Sequence, residues 1–295
     1  MLDDVFLSTI EPGQATAWPV TNDEYHATDK AVGSSMLACF RKSPPRYRDI
    51  YVDHSIEKNP PTPDMEFGSM VHTLVLEPEQ FDQEYAMEPT GPRRTNADKQ
   101  AFAMWQLAHR DKRQISREAQ KEVCEARAMA EIVRTHPIAG LFLRAEGEVE
   151  TGILWRDPVT QILCKAMPDK LVTGFGALCD FSLKTAADPR PEKFAWEVDR
   201  RDYDLQSALY RHAIEALCGR VATTLLCVVG KDDFAGMVWC RVMPPGWIEL
   251  GRRKLRDALC RLQICTETGD WIAPGQNELS DLEIPHTLQR QLEAR

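Results

Sequence analysis

Two short stretches decide the fold, Pro168-Asp169-Lys170-Leu171 and, a little further on, Asp180-Phe181-Ser182-Leu183-Lys184-Thr185. Polar and apolar residues alternate in the second, which is the pattern of a strand with two different faces. Asp180, Ser182 and Lys184 then share one face, and Phe181 and Leu183 take the other. The first stretch reads as an acid at the end of a preceding strand. Together they predict two strands that bring carboxylates and a lysine to one place.

Working outward, strands are predicted over 148–156, 161–166, 177–183, 225–229 and 237–242. Asp157-Pro158-Val159-Thr160 turns the chain between the first two. Helices are predicted over 34–40, 67–76, 96–112, 116–135, 191–198, 205–217 and 247–266, with a short one at 288–292. Ser34 opens the first of these, and Pro44-Pro45 stops it. Residues 53–64 are polar and proline-rich and read as a loop. The order of helices, strand meander, helix pair, two strands and a helix predicts an α/β fold with a mixed central β-sheet flanked by helices. The expected division is an arm with a short helix over 1–65, a catalytic domain over 66–272 and a tail over 273–295.

Composition narrows the function. The 295 residues are 43% hydrophobic and 27% charged, which is ordinary for a globular protein. A net charge of −9 excludes a protein held on nucleic acid by bulk basicity. The charge is unevenly placed, however. Residues 1–29 carry six acids and no Lys or Arg, and 266–295 carry six acids against two arginines. The interior is therefore close to neutral, with a basic run over 92–121 and another at Arg252-Arg253-Lys254-Leu255-Arg256. Each run reads as a solvated helix face or as a phosphate-contacting surface. No apolar run is long enough to span a bilayer. The Met1 end lacks signal-peptide character, so a cytoplasmic location is expected. Nine scattered cysteines without a Cys-x-x-Cys pair point to reduced thiols rather than to disulfides or an iron–sulfur cluster. Absence of a Walker-type phosphate loop argues against ATP use.

The candidate chemistry is phosphodiester hydrolysis. His72 lies on an early predicted helix, within Gly68-Ser69-Met70-Val71-His72. Asp169 and Lys184 end neighbouring strands, and Gln206 and Tyr210 lie four apart on one helix face. Carboxylates and a histidine hold Mg²⁺, a cation that prefers oxygen ligands and keeps waters. A lysine orients the attacking water and offsets developing negative charge. Each residue also has a plain reading: His72 as a core histidine, Asp169 as a turn residue, Lys184 as a surface lysine, and Gln206 and Tyr210 as helix packing.

The chain resembles the PD-(D/E)XK nuclease superfamily, and within it the phage and prophage RecE-like exonucleases of the exodeoxyribonuclease VIII type. The likeness runs from Tyr25-His26-Ala27 through Ser34-Ser35-Met36-Leu37 and Ser43-Pro44-Pro45-Arg46-Tyr47 to Phe67-Gly68-Ser69-Met70-Val71-His72. It resumes at Trp155-Arg156-Asp157-Pro158, Asp169-Lys170, Leu183-Lys184-Thr185 and Tyr203-Asp204-Leu205-Gln206-Ser207-Ala208-Leu209-Tyr210, and ends near Gly269-Asp270-Trp271. The resemblance implies metal ligation by His72 and Asp169, water orientation by Lys184, and support from Gln206 and Tyr210. It implies a Mg²⁺-dependent (or Mn²⁺-supported), ATP-independent 5′→3′ exonuclease on double-stranded DNA in phage-type recombination. A single-strand annealing protein as partner and a homo-oligomer follow from the same resemblance.

One position departs from the pattern. Ser182 stands where the family has Asp or Glu, and Asp180 lies about 6–7 Å further back on the same face. A hydroxyl is neutral and a weaker Mg²⁺ ligand than a carboxylate. Three readings stay open: Asp180 replaces the missing acid, the site works slowly, or the chain is a DNA-binding or assembly protein on the same fold. An interaction module whose acidic ends bind a basic partner is the alternative from a different class.

Overall fold

A computed structural model describes residues 3–273. The strands are β1 (Ala15–Trp18), β2 (Tyr85–Met87), β3 (Arg113–Ile115), β4 (Gly147–Val149), β5 (Gly152–Arg156), β6 (Leu163–Ala166), β7 (Lys170–Val172), β8 (Cys179–Ala186), β9 (Thr223–Gly230) and β10 (Val238–Val242). The α-helices are α1 (Asp4–Ser8), α2 (Asn22–Ala27), α3 (Ser34–Lys42), α4 (Pro44–Tyr51), α5 (Pro63–Leu76), α6 (Phe81–Glu84), α7 (Asn96–Ala108), α8 (Gln120–Thr135), α9 (Pro137–Arg144), α10 (Pro191–Arg200), α11 (Tyr203–Cys218) and α12 (Pro245–Thr268). The expected helix at 288–292 lies outside the described residues.

The central sheet is mixed, with order β10-β9-β8-β7-β4. Its β8 and β9 run parallel, and its other pairs are antiparallel. A second sheet, β1-β5-β6, is antiparallel throughout. Side-chain alternation on β8 sends Phe181 and Leu183 into a core with Phe67, Met70, Val71 and Leu74 of α5 and with Ala126 and Met129 of α8. Leu226 and Val228 of β9 face the opposite way, against Phe194 and Val198 of α10 and Ile248 of α12. Helices therefore cover both faces of a mixed sheet, as the element order predicts.

Some boundaries differ from the sequence reading. Helix α3 stops at Lys42, before Pro44-Pro45 as expected, but a further helix, α4, starts directly at Pro44, with the Ser43 hydroxyl accepting from the Arg46 N–H. Proline is well suited to a first helical position, where its missing N–H has no intrahelical partner. The loop expected over 53–64 ends at Thr62, which caps α5 by accepting from the Met65 N–H. The single strand expected over 148–156 is two, β4 and β5, broken where Glu150 takes a left-handed conformation (φ 43°). Asp169 does not end a strand; it occupies the connection between β6 and β7. Among the described residues, no helix is long and apolar enough to cross a membrane.

Candidate active site

Three elements bring the predicted residues together. Helix α5 lies directly on the end of β8: a Cβ at Gly68 would sit 3.5 Å from the Thr185 hydroxyl. One turn further along α5 comes His72. The β7–β8 register pairs Lys170 with Phe181 and Leu171 with Asp180, which puts Asp169 beside the Ser182–Lys184 segment. The Leu183 backbone N–H donates to Asp169 Oδ2 at 2.6 Å and fixes that carboxylate. His72 Nδ1 then lies 3.7 Å from Asp169 Oδ1, and Lys184 Nζ lies 3.9 Å from Asp169 Oδ2. Lys184 also sits over the Tyr203 ring at 5.1 Å, a placement that fixes its head group.

Burial holds the His72 imidazole below the usual histidine range; Asp169 opposes that shift and Lys184 adds to it. A neutral imidazole keeps a lone pair for a cation. Gln206 and Tyr210 meet each other, with Gln206 Nε2 donating to the Tyr210 hydroxyl at 3.1 Å. Burial raises the Tyr210 phenol well above its usual value, and the charges of Tyr25, Asp169 and Asp180 add to the effect. Tyr210 is thus held as a protonated hydroxyl.

Asp180 behaves differently from Asp169. It is 1% exposed, and its Oδ2 accepts from the Thr224 hydroxyl of β9 at 3.3 Å. Its Oδ1 is buried without a partner. Burial, and then the charge of Asp169, push its carboxyl up to about 7. Ser182 is buried on the same strand face. Among the described residues, no three His, Cys, Asp or Glu side chains converge as a ready metal cage.

The donor chemistry nonetheless fits a hard divalent cation. Mg²⁺ is held by one or two carboxylates and keeps several waters rather than demanding a full protein cage. His72 and Asp169 supply an imidazole nitrogen and a carboxylate oxygen, and Asp180, which feels the Asp169 charge, keeps an unpartnered Oδ1.

Glu150 lies next to Asp169, a placement the sequence reading does not predict. Its backbone N–H donates to the Asp169 carbonyl at 3.3 Å. Burial, followed by the charges of Asp169 and Glu77, push its carboxyl up to about 7. The only signal in the sequence is Gly152 two residues later, where a Cβ would lie 2.6 Å from the Trp18 carbonyl. That glycine marks the end of one strand and the start of the next.

The fold matches a crystal structure of a candidate exonuclease from Eubacterium rectale, with a TM-score of 0.59 and 11% identity over 93% of this chain and 98% of that one. A structure of SSO0001 aligns at a TM-score of 0.30 and 12% identity, over 83% of this chain and 96% of that one, too weakly to bear on the fold. No curated protein matches significantly. The model of a PDDEXK-like domain of unknown function (DUF3799) matches residues 33–282. With a mixed sheet that brings Asp169 and Lys184 together and a helix that sets His72 beside them, the chain belongs to this PDDEXK-like family.

Proposed function

We propose that the protein is a nuclease acting on double-stranded DNA, a Mg²⁺-dependent and ATP-independent 5′→3′ exonuclease of the RecE-like phage type. The observation that supports this most is the convergence of His72, Asp169 and Lys184 within 4 Å contacts. A bound Mg²⁺ would polarise the phosphoryl oxygen and acidify a water. His72 and Asp169 would hold it, with Asp180 or Ser182 as the third position. Mn²⁺ is a second candidate at the same donors. Lys184 would orient the attacking water and balance the negative charge that develops on the phosphate. Tyr210, kept protonated, would donate to an oxygen in the site while Gln206 holds its hydroxyl. A single-strand annealing partner, a homo-oligomer, a cytoplasmic location and a role in recombination belong to this reading.

A second reading has its own observation. Asp180 is engaged with Thr224, and Ser182 carries no charge. A chain that binds DNA on this fold but hydrolyses it poorly would look the same. Linear duplex labelled at its 5′ end, incubated with Mg²⁺ or Mn²⁺, separates the two. Release of labelled nucleotides supports the exonuclease. Intact DNA that is still retarded in a gel supports the binding protein.

A further inference from the structure

Two of the nine cysteines meet across a strand pair. The antiparallel β9–β10 register sets Cys227 directly opposite Cys240. Backbone bonds flank them: the Gly230 N–H donates to the Met237 carbonyl and the Met243 N–H to the Thr224 carbonyl, both at 2.9 Å. Antiparallel partners alternate between hydrogen-bonded and non-hydrogen-bonded. Counting inward from Gly230–Met237 and from Thr224–Met243 makes Cys227–Cys240 a non-hydrogen-bonded pair. Such pairs hold their Cα atoms about 4.5 Å apart, with the side chains close together on one face. A disulfide spans Cα separations of about 4.4–6.8 Å. The pair therefore stands within bonding span, and both residues are free thiols in this structure. Among the described residues, no other strand pairing sets cysteine against cysteine.

The two sulfurs have different surroundings. Cys227 is fully buried, in the core that holds Leu183 and α5. Cys240 lies on the edge strand β10 and is partly exposed. Their mutual hydrogen bond, and then burial, raise the Cys227 thiol. The same bond holds the Cys240 thiol below its usual range, against burial, and the Ala139 N–H in the first turn of α9 adds to it. The reachable sulfur is thus the one that ionises, with a second thiol directly across the strand pair. An oxidant-sensing cysteine and its resolving partner need that division of roles.

We propose that Cys227 and Cys240 form an oxidative modification site, closing into a reversible disulfide when the chain meets hydrogen peroxide. The Cys240 thiolate attacks one peroxide oxygen. An S–O bond forms, the O–O bond breaks, and the departing hydroxide takes up the proton that Cys240 released. Cys227 then loses its proton and attacks the sulfenic sulfur of Cys240. The S–S bond forms, the S–O bond breaks, and the second hydroxide leaves as water with the Cys227 proton. Two thiols are oxidised to one disulfide, and one peroxide is reduced to two waters. The bond staples β10 to β9, and Cys227 of β9 is the register partner of Leu183, whose N–H fixes Asp169. Neither the site nor its chemistry depends on the nuclease reading.

The test is oxidation of the full, folded chain with equimolar hydrogen peroxide, followed by thiol blocking, proteolysis and mass spectrometry. Peptides carrying Cys227 and Cys240 should be found cross-linked, with two of the nine free thiols lost and both restored by dithiothreitol. Cys227→Ala should leave Cys240 as a sulfenic acid that dimedone captures ahead of the exposed Cys124 and Cys218. Cys240→Ala should keep Cys227 reduced at the same dose. Wild type in which Cys227 and Cys240 both stay reduced while Cys124 or Cys218 reacts would overturn the site. Dimedone capture of Cys240 in wild type, with no link to Cys227, would overturn it as well, since the second thiol would then not resolve the first. The wild-type map decides the matter even if a variant fails to fold.

Discussion

Asp157 and Asp180 are both buried aspartates, at 0% and 1% exposure, yet their surroundings are opposite. Asp157 accepts from Arg256 twice and from the Thr160 N–H and hydroxyl at 2.8 Å each. Burial raises its pKa, but Arg256 and Thr160 outweigh that and hold it below the usual carboxylate range. Asp180 has one hydroxyl partner, an orphan oxygen and a raised pKa. The first arrangement ties α12 to the β5–β6 turn. The second leaves acceptor capacity unused at Asp180, within reach of the Asp169 charge. A satisfied buried charge holds structure, and an unsatisfied one is where perturbed chemistry collects.

The largest expected effect comes from breaking the satisfied partner set. Asp157→Ala strands the Arg256 charge and should destabilise the fold by about 3–5 kcal/mol. Denaturant unfolding measures it, and a midpoint close to wild type would show that the pair is not structural. Next is the active site itself. Lys184→Ala should lower Mg²⁺-dependent digestion by about 10²–10³-fold with little change in unfolding midpoint, by analogy with loss of one electrostatic donor. Unchanged digestion would remove Lys184 from the chemistry.

Asp180→Asn should do the reverse of Asp157→Ala. In EDTA the wild-type carboxyl binds its proton more tightly folded than unfolded. Its stability contribution is therefore whole below about pH 4 and is lost as pH rises toward about 7. The variant should flatten that decline and be more stable at pH 8, by on the order of a few kcal/mol at most. Parallel pH profiles for the two proteins would contradict the buried, unpaired state. Smallest in energy, though most telling for function, is Ser182→Asp. A second carboxylate beside Asp169 should raise Mg²⁺-dependent digestion at least ~10-fold, about 1.4 kcal/mol in barrier. No gain would mean that Asp180 already serves the site.

Much of this was readable from local pattern. Helices α5, α11 and α12 follow the 3.6 period, and β8 follows strict alternation. Strand β1 was not predicted, because Ala15–Trp18 is short and acquires its pairing only from β5. The break at Glu150 was also missed, since Glu148-Val149-Glu150 alternates like the strand on either side. In the site, the meeting of His72, Asp169 and Lys184 and the Gln206–Tyr210 contact agree with the spacing. The placement of Glu150 beside Asp169 is not legible in sequence, because it depends on a backbone bond to the Asp169 carbonyl across a sheet pairing.

Sequence alone determined most element types, the mixed α/β class and the candidate site residues, because periodicity and side-chain type are local properties. Tertiary structure alone decided which charges are spent. Within Arg252-Arg253-Lys254-Leu255-Arg256 the cations look alike in sequence, yet among the described residues the helix surface hands carboxylates to Arg253, Lys254 and Arg256 and none to Arg252. It likewise left Asp157 satisfied and Asp180 half-paired. Partners come from chain segments far apart in sequence, and the energy of a buried charge depends on those partners.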